Sequence, residues 1–196
     1  MALSNIDTDN ILLVEAESDR GLFEQILKKL AIDTKIQVAC PKDFDPKNWN
    51  TKQAVLAQTV ILLKTKRDND FRLAVVVDAD YPADHSLGLQ KTLAKFKEKI
   101  ADEGYALSTE NSNHSGFIFT HNDGLTNIGL WVMPDNNNNG MLEHWIKNCV
   151  SNEEQALFDL ACSTVTDLES KKFKHKDQTK AEVATWLAWQ LSLIHI

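Results

Sequence analysis

Short unbroken apolar runs alternate along the chain with longer stretches in which apolar residues recur every three or four positions. The first run, Asn10 to Val14, is β-branched at Ile11 and Val14 and predicts a buried strand. From Asp19 to Leu30, the side chains of Leu22, Phe23, Ile26, Leu27 and Leu30 share one helical face, with Ser18 or Asp19 as the N-cap. "KIQVAC" predicts a second strand and "PKDFDPKNWN", with two of the four prolines, a loop. A long helix is predicted from Thr51 to Thr65, with Val55, Leu56, Thr59, Leu62 and Leu63 at helical spacing. Leu73 to Val77, inside "FRLAVVVDAD", is continuously apolar and suits a central strand covered on both faces. Ser86 to Glu103 predicts an amphipathic helix through Leu89, Leu93, Phe96 and Ile100, and "YALST" a further strand.

After this point the rhythm changes. "SGFIFTHNDGLTNIGLWVM" holds two β-rich runs around "NDGLTN", a hairpin signal, and from Gly140 onward the pattern is helical near Met141–Cys149, Glu153–Leu168 and Thr179–Leu191. The expected fold class is therefore α/β, with a largely parallel central sheet, flanking helices, an added β-hairpin and a helical C-terminal region. It is expected as a single domain over residues 1–196, with its core at about 10–135 and the helical part at about 140–191.

Composition supports an ordered globular chain, because 43% of residues are hydrophobic and only 7 are Gly and 4 Pro. Cys40, Cys149 and Cys162 form no CxxC pair, which points away from a disulfide framework or zinc knuckle and toward a cytoplasmic setting. No apolar run approaches the roughly 18 residues that span a bilayer, and "MALSNIDTDN" lacks the features of a signal peptide, so no membrane partner is expected. A net charge of −7 argues against broad binding to a phosphate backbone. "KKFKHK", Lys171 to Lys176, is either a phosphate-steering surface or simply a solvated helix end or loop.

The candidate chemistry lies where strands end on acids. In open parallel sheets functional groups gather at the carboxyl ends of strands. Glu15 closes the first strand, with Asp19 four residues on, and Asp78 and Asp80 close the central one. If those strands are neighbours, two like charges about 4 Å apart repel by roughly 4 kcal/mol at an effective dielectric near 20. Shared protons, a Lys or Arg, or a hard divalent cation such as Mg²⁺ would relieve this, and helix-dipole stabilisation is the plainer account of such acids. "MPDNNNNGMLEHW" adds Asp135 after a strand and Glu143 in the first turn of a helix. If that strand adjoins the central one, Asp135 approaches the same crevice, with Glu143 outside it as a supporting group. "NNNN" is a polar loop, and His114 and His144 are weaker candidates.

These residues resemble a known family. "LLVEAESD" followed by "VVVDADYP" is similar to the Toprim pattern of topoisomerases, primases and OLD-family (overcoming-lysogenization-defect) nucleases. The closer resemblance is to the small DUF3226 proteins, bacterial Toprim-like domains, through "VEAESDRGLFEQIL", "VVVDAD", "GLWVMPDNNNNGMLEHW" and "KAEVATWLAWQ". It implies a Toprim-like fold, with Mg²⁺ or Mn²⁺ held by Glu15, Asp78 and Asp80, Glu15 in acid/base duty, and Asp19 assisting a second metal. Toprim sequences usually carry Gly after the Glu, where this chain has Ala16; a position requiring φ > 0 would strain Ala. "LSLIHI" lacks the Pro/Gly-containing continuation such proteins commonly show, so a truncated end is expected.

The resemblance implies a Mg²⁺-dependent nuclease or phosphoryl-transfer domain acting on nucleic acid in a phage-defence setting, with an ATPase partner protein. The alternative is a metal- or nucleotide-binding interaction module without catalysis, favoured by the acidic net charge and by Ala16. Topoisomerase chemistry is disfavoured because Tyr81 and Tyr105 are the only tyrosines. A haloacid-dehalogenase phosphatase or a phospho-receiver domain fits the spacing of the acids poorly.

Overall fold

The computed structural model describes residues 8–32, 34–47, 51–67, 69–108 and 116–190. His114 and the last six residues, 191–196, lie outside these. The chain divides into two compact units, Met1–Gly140 and Met141–Ile196.

The first unit is built on strands β1 (Asn10–Leu13), β2 (Gln37–Ala39), β3 (Arg72–Asp78), β4 (Tyr105–Leu107), β5 (Phe117–His121) and β6 (Ile128–Met133). Its helices are α1 (Glu17–Lys29), α2 (Pro41–Phe44), α3 (Lys52–Thr65) and α4 (Gly88–Ala101). The strands form one six-stranded sheet in the order β2-β1-β3-β6-β5-β4. β2, β1, β3 and β6 run parallel, whereas β5 and β4 are antiparallel additions. This is the expected mixed α/β architecture with a mostly parallel sheet.

Strand length and hydrophobicity explain the order. The place beside β3 goes to β6, a six-residue apolar strand, while the three-residue β4 is left at the edge, with Ala106 exposed. A central strand must satisfy two neighbours and bury more side chains, and β4 is too short to do so. Alternate residues of the central strands point into one core: Ile11 and Leu13, Leu73, Val75 and Val77, and Ile128, Leu130 and Val132. Val55, Leu56, Leu62 and Leu63 of α3 and Leu89, Phe96 and Ile100 of α4 complete it.

Several local expectations need correction. The segment after β2 is no plain loop, since Pro41 opens the short helix α2, where a missing N–H costs nothing. Helix α1 begins earlier than Ser18 or Asp19, with Ala16 as its N-cap. The apolar face of α1 is only half covered; none of its residues is buried, and Leu30 is exposed. The run Leu73–Val77 is not covered on both faces throughout, because Ala74 is exposed. Helix α4 starts at Gly88 and not at Ser86: Gly88 has φ +72°, and a Cβ there would lie 2.8 Å from Pro82 Cγ.

The second unit contains α5 (Leu142–Asn148), α6 (Gln155–Thr166) and α7 (Gln178–Ala188), within two residues of the periodicity except at the C-terminal end of α7. Phe158, Ala161 and Val165 of α6 are buried, as is Val183 of α7, and the Phe158 and Trp186 rings meet edge-on at 5.6 Å.

In the first unit Phe96 is fully buried, with its ring 5.1 Å from that of Phe119. Phe96→Ala is expected to lower the unfolding free energy by about 3–5 kcal/mol, read from urea denaturation. Lys97→Ala, one residue along on the exposed side, should change it by less than about 0.5 kcal/mol.

Candidate functional site

β1 and β3 are adjacent and parallel, so their carboxyl ends emerge side by side. Glu15 lies two residues beyond the end of β1, and its Oε1 accepts the backbone N–H of Asp78 at 2.9 Å. That bond ties the two strand ends together and aims the Glu15 carboxylate at the rim of β3. Burial pushes the Glu15 pKa up from 4.5 to about 7; Asp80 and Asp19 push the same way, while the Asp78 N–H and Lys52 pull it down.

Asp78 is the last residue of β3, and Ala79 extends the pairing to β6 through its N–H to the Met133 carbonyl at 3.1 Å. Ala79 is fully buried, anchoring the short stretch between the two aspartates. Asp80 takes a left-handed conformation, φ +59°, which Asp tolerates better than most residues. Its N–H donates to the Gly140 carbonyl at 2.6 Å, and its Oδ2 accepts from Lys52 Nζ at 2.9 Å.

Lys52 was not singled out by sequence reasoning. It opens α3 directly after the Thr51 N-cap, and only 9% of it is exposed. Its ammonium donates to the Ala79 carbonyl, Asp80 Oδ2 and Thr92 Oγ1, at 3.2, 2.9 and 3.4 Å, so all three donors are used. A cation at a helix N-terminus opposes the dipole, and this one is tolerated because oxygens from the two residues after β3 and from α4 surround it. A Lys in the first turn of an apolar helix was the available signal.

Asp19 has a structural role. Its Oδ2 accepts the Ala16 N–H at 3.0 Å, closing the first turn of α1 in the manner of a capping-box acid. It still lies near enough to Glu15 to raise that group's pKa. Ala16 has φ −136° and ψ 167°, ordinary extended backbone, so the residue after Glu15 needs no glycine. Glu17 is exposed and pairs with Lys42 at 3.1 Å.

β6 adjoins β3, as the Asp135 expectation required, yet Asp135 turns to its own loop. Its carboxylate accepts from the Asn137 and Asn138 N–H groups at 3.0 and 2.8 Å, and from Asn138 Nδ2 at 2.7 Å. Against a burial cost, these bonds hold its pKa below the usual range. The asparagine loop instead supports the site indirectly. Asn139 Oδ1 accepts the Leu89 N–H at the start of α4, and Gly140 holds Asp80. Glu143 belongs to the second unit, where it pairs with Lys180 at 3.9 Å. His144 is a hydrogen-bonded neutral side chain: Nδ1 accepts from the Met141 N–H, Nε2 meets Thr179 Oγ1, and burial lowers its pKa.

Glu15, Asp78 and Asp80 thus share one edge with Lys52. Among the described residues, no three His, Cys, Asp or Glu side chains are gathered to form a cage for a metal ion. The oxygen-only donor set suits an ion that takes one or two carboxylates and keeps its water, as Mg²⁺ does.

Two outcomes follow from this geometry. A carboxyl whose pKa rises on folding stabilises the fold below its unfolded pKa and loses that contribution as pH climbs through its folded pKa. Relative to Glu15→Gln, the wild-type protein should therefore lose about 3 kcal/mol of stability between about pH 4.5 and 7 and change little above, in denaturant titrations across pH. Lys52→Ala should cost on the order of 2 kcal/mol at pH 7, less than for a fully buried pair because Asp80 is partly exposed, read from the denaturation midpoint.

The model of one protein family, described as "Protein of unknown function (DUF3226)", matches residues 9–193. None of the curated proteins and none of the solved structures matches the chain.

Proposed function

Since the chain belongs to the DUF3226 family, whose description carries no activity, we propose from the site itself that it is a divalent-cation-dependent domain acting on nucleic acid phosphodiesters. The observation that carries this reading is Glu15: a carboxyl tied to Asp78 at the joined ends of β1 and β3, with Asp80 and Lys52 beside it. Its pKa of about 7 in the cation-free protein would be lowered by a cation on Asp78 and Asp80, which favours the carboxylate form that acts as a base. Oε1 is committed to the Asp78 N–H, which leaves Oε2 to take a proton from an attacking water or return one to a leaving oxygen.

Asp78 and Asp80, with Glu15 beside them, would hold Mg²⁺ or Mn²⁺. The bound ion would polarise a phosphoryl oxygen and offset the negative charge of the acids. Lys52 holds Asp80 in its left-handed conformation and keeps one positive charge at the edge when the substrate's phosphate approaches. The resemblance to the Toprim domains of OLD-type nucleases supports the same chemistry and suggests an ATPase partner protein.

A second reading, a metal- or nucleotide-binding module without catalysis, is favoured by the Lys52–Asp80 pair, which already neutralises one acid. Incubating the full chain with DNA and tRNA under Mg²⁺, Mn²⁺ or a chelator separates the two. Divalent-dependent cleavage that falls at least about 100-fold in Glu15→Gln and in Asp78→Asn, with both variants folded by circular dichroism, is expected. Cleavage indifferent to both substitutions would sink the proposal. Saturable Mn²⁺ binding with the nucleic acid left intact would favour the second reading.

A further inference from the structure

Helix α4 leaves the site edge carrying four lysines on its exposed positions, Lys91, Lys95, Lys97 and Lys99. Three of them are four residues apart. Lys91, Lys95 and Lys99 therefore follow one another along one side of the helix, rising about 6 Å per step. The core-facing side of α4 is taken by Leu89, Thr92, Phe96 and Ile100.

The three lysines differ from six others among the described residues. Lys42, Lys52, Lys64, Lys66, Lys147 and Lys180 each pair with a carboxylate. Among the described residues, the side chains of Lys91, Lys95 and Lys99 have no hydrogen-bond or ion-pair partner. Glu98 and Asp102 lie toward the C-terminal end of the same helix, so the positive field is strongest over its first two turns. That end meets the site. Thr92, next to Lys91, accepts from Lys52, which holds Asp80, and the α4 N-terminus brings the positive end of the helix dipole to the same edge.

We propose that the Lys91–Lys95–Lys99 stripe is a track for the sugar–phosphate backbone of a nucleic acid, leading it to the acidic edge. The proposal rests on the phosphodiester reading above and supplies what an acidic protein needs to hold a polyanion: a local row of uncommitted cations in place of a basic surface. Regular spacing favours a polymer with regular charge. Between Lys91 and Lys99 the other exposed positions are Ala94, Lys97 and Glu98, with no large apolar anchor of the kind peptide recognition uses.

The test is oligonucleotide binding by fluorescence anisotropy across a salt series, in chelator so that no cleavage occurs. The wild-type protein is compared with the triple variant Lys91→Gln, Lys95→Gln, Lys99→Gln, and with the charge-matched triple variant Lys171→Gln, Lys172→Gln, Lys174→Gln. Loss of three phosphate contacts should reduce the slope of log affinity against log salt by about 2 for a single strand or about 3 for a duplex, in the α4 variant only. Unchanged affinity and slope in that variant, an equal loss in the charge-matched variant, or no oligonucleotide binding by the wild-type protein would overturn the track. Hydrolysis of a small phosphodiester, bis-p-nitrophenyl phosphate, with Mn²⁺ tests the phosphodiester reading separately. The α4 variant should retain that hydrolysis, because the small diester does not extend along the helix. Loss of it in the α4 variant would also overturn the track, since the lysines would then act on the site itself.

Discussion

The ammonium of Lys52 sits almost wholly buried among three oxygens, one from Asp80, one from the Ala79 backbone and one from Thr92. An unpaired charge at that depth would be prohibitive, so the positions of α3, the β3 end and α4 are mutually constrained by the need to surround it. Asp80 depends on the same contact. Its left-handed backbone is unfavourable for a residue with a side chain, and it is held there by Lys52 on one side and the Gly140 carbonyl on the other. The acidic edge is thus shaped by a cation that the protein itself supplies.

Around that pair, the asparagine loop acts as a brace. Asn139 caps the first turn of α4, Gly140 pairs with Asp80, and Asn136 reaches back to the Val132 N–H at 2.7 Å. Short polar side chains suit this work because they hydrogen-bond backbone groups within a few residues and tolerate left-handed geometry, as Asn136 does at φ +62°. Asp135 belongs to the brace, not to the crevice, and its low pKa keeps it a charged acceptor for the loop. Glu15, by contrast, is pushed toward neutrality by its surroundings. Two carboxyls that looked alike as strand-end acids thus have pKa values moved in opposite directions by their environments.

The path from the site along α4 gives the charge distribution a meaning that net charge conceals. A total of −7 describes the whole chain, whereas an encounter with a phosphate backbone is governed by the few cations within a screening length of about 8 Å at physiological salt. Uncommitted lysines in a row act together over that distance. Paired ones, such as Lys64 on Glu103, contribute little.

The strands, the long helices and the acids at the ends of β1 and β3 were legible in the residues alone, because periodicity and turn chemistry are local properties of adjacent positions. So was the hairpin at "NDGLTN". The sequence did not reveal that β6 takes the place beside β3, that Ala16 is extended, or that Lys52 lies against Asp80. Each is decided by groups that meet only after the chain has folded: Lys52 and Asp80 are 28 residues apart, and Glu15 and Asp78 are 63. Local pattern determined which segments could be buried and where charge would emerge. Tertiary packing decided which charges meet, because the cost of an unpaired charge depends on the surroundings it acquires once the core has closed.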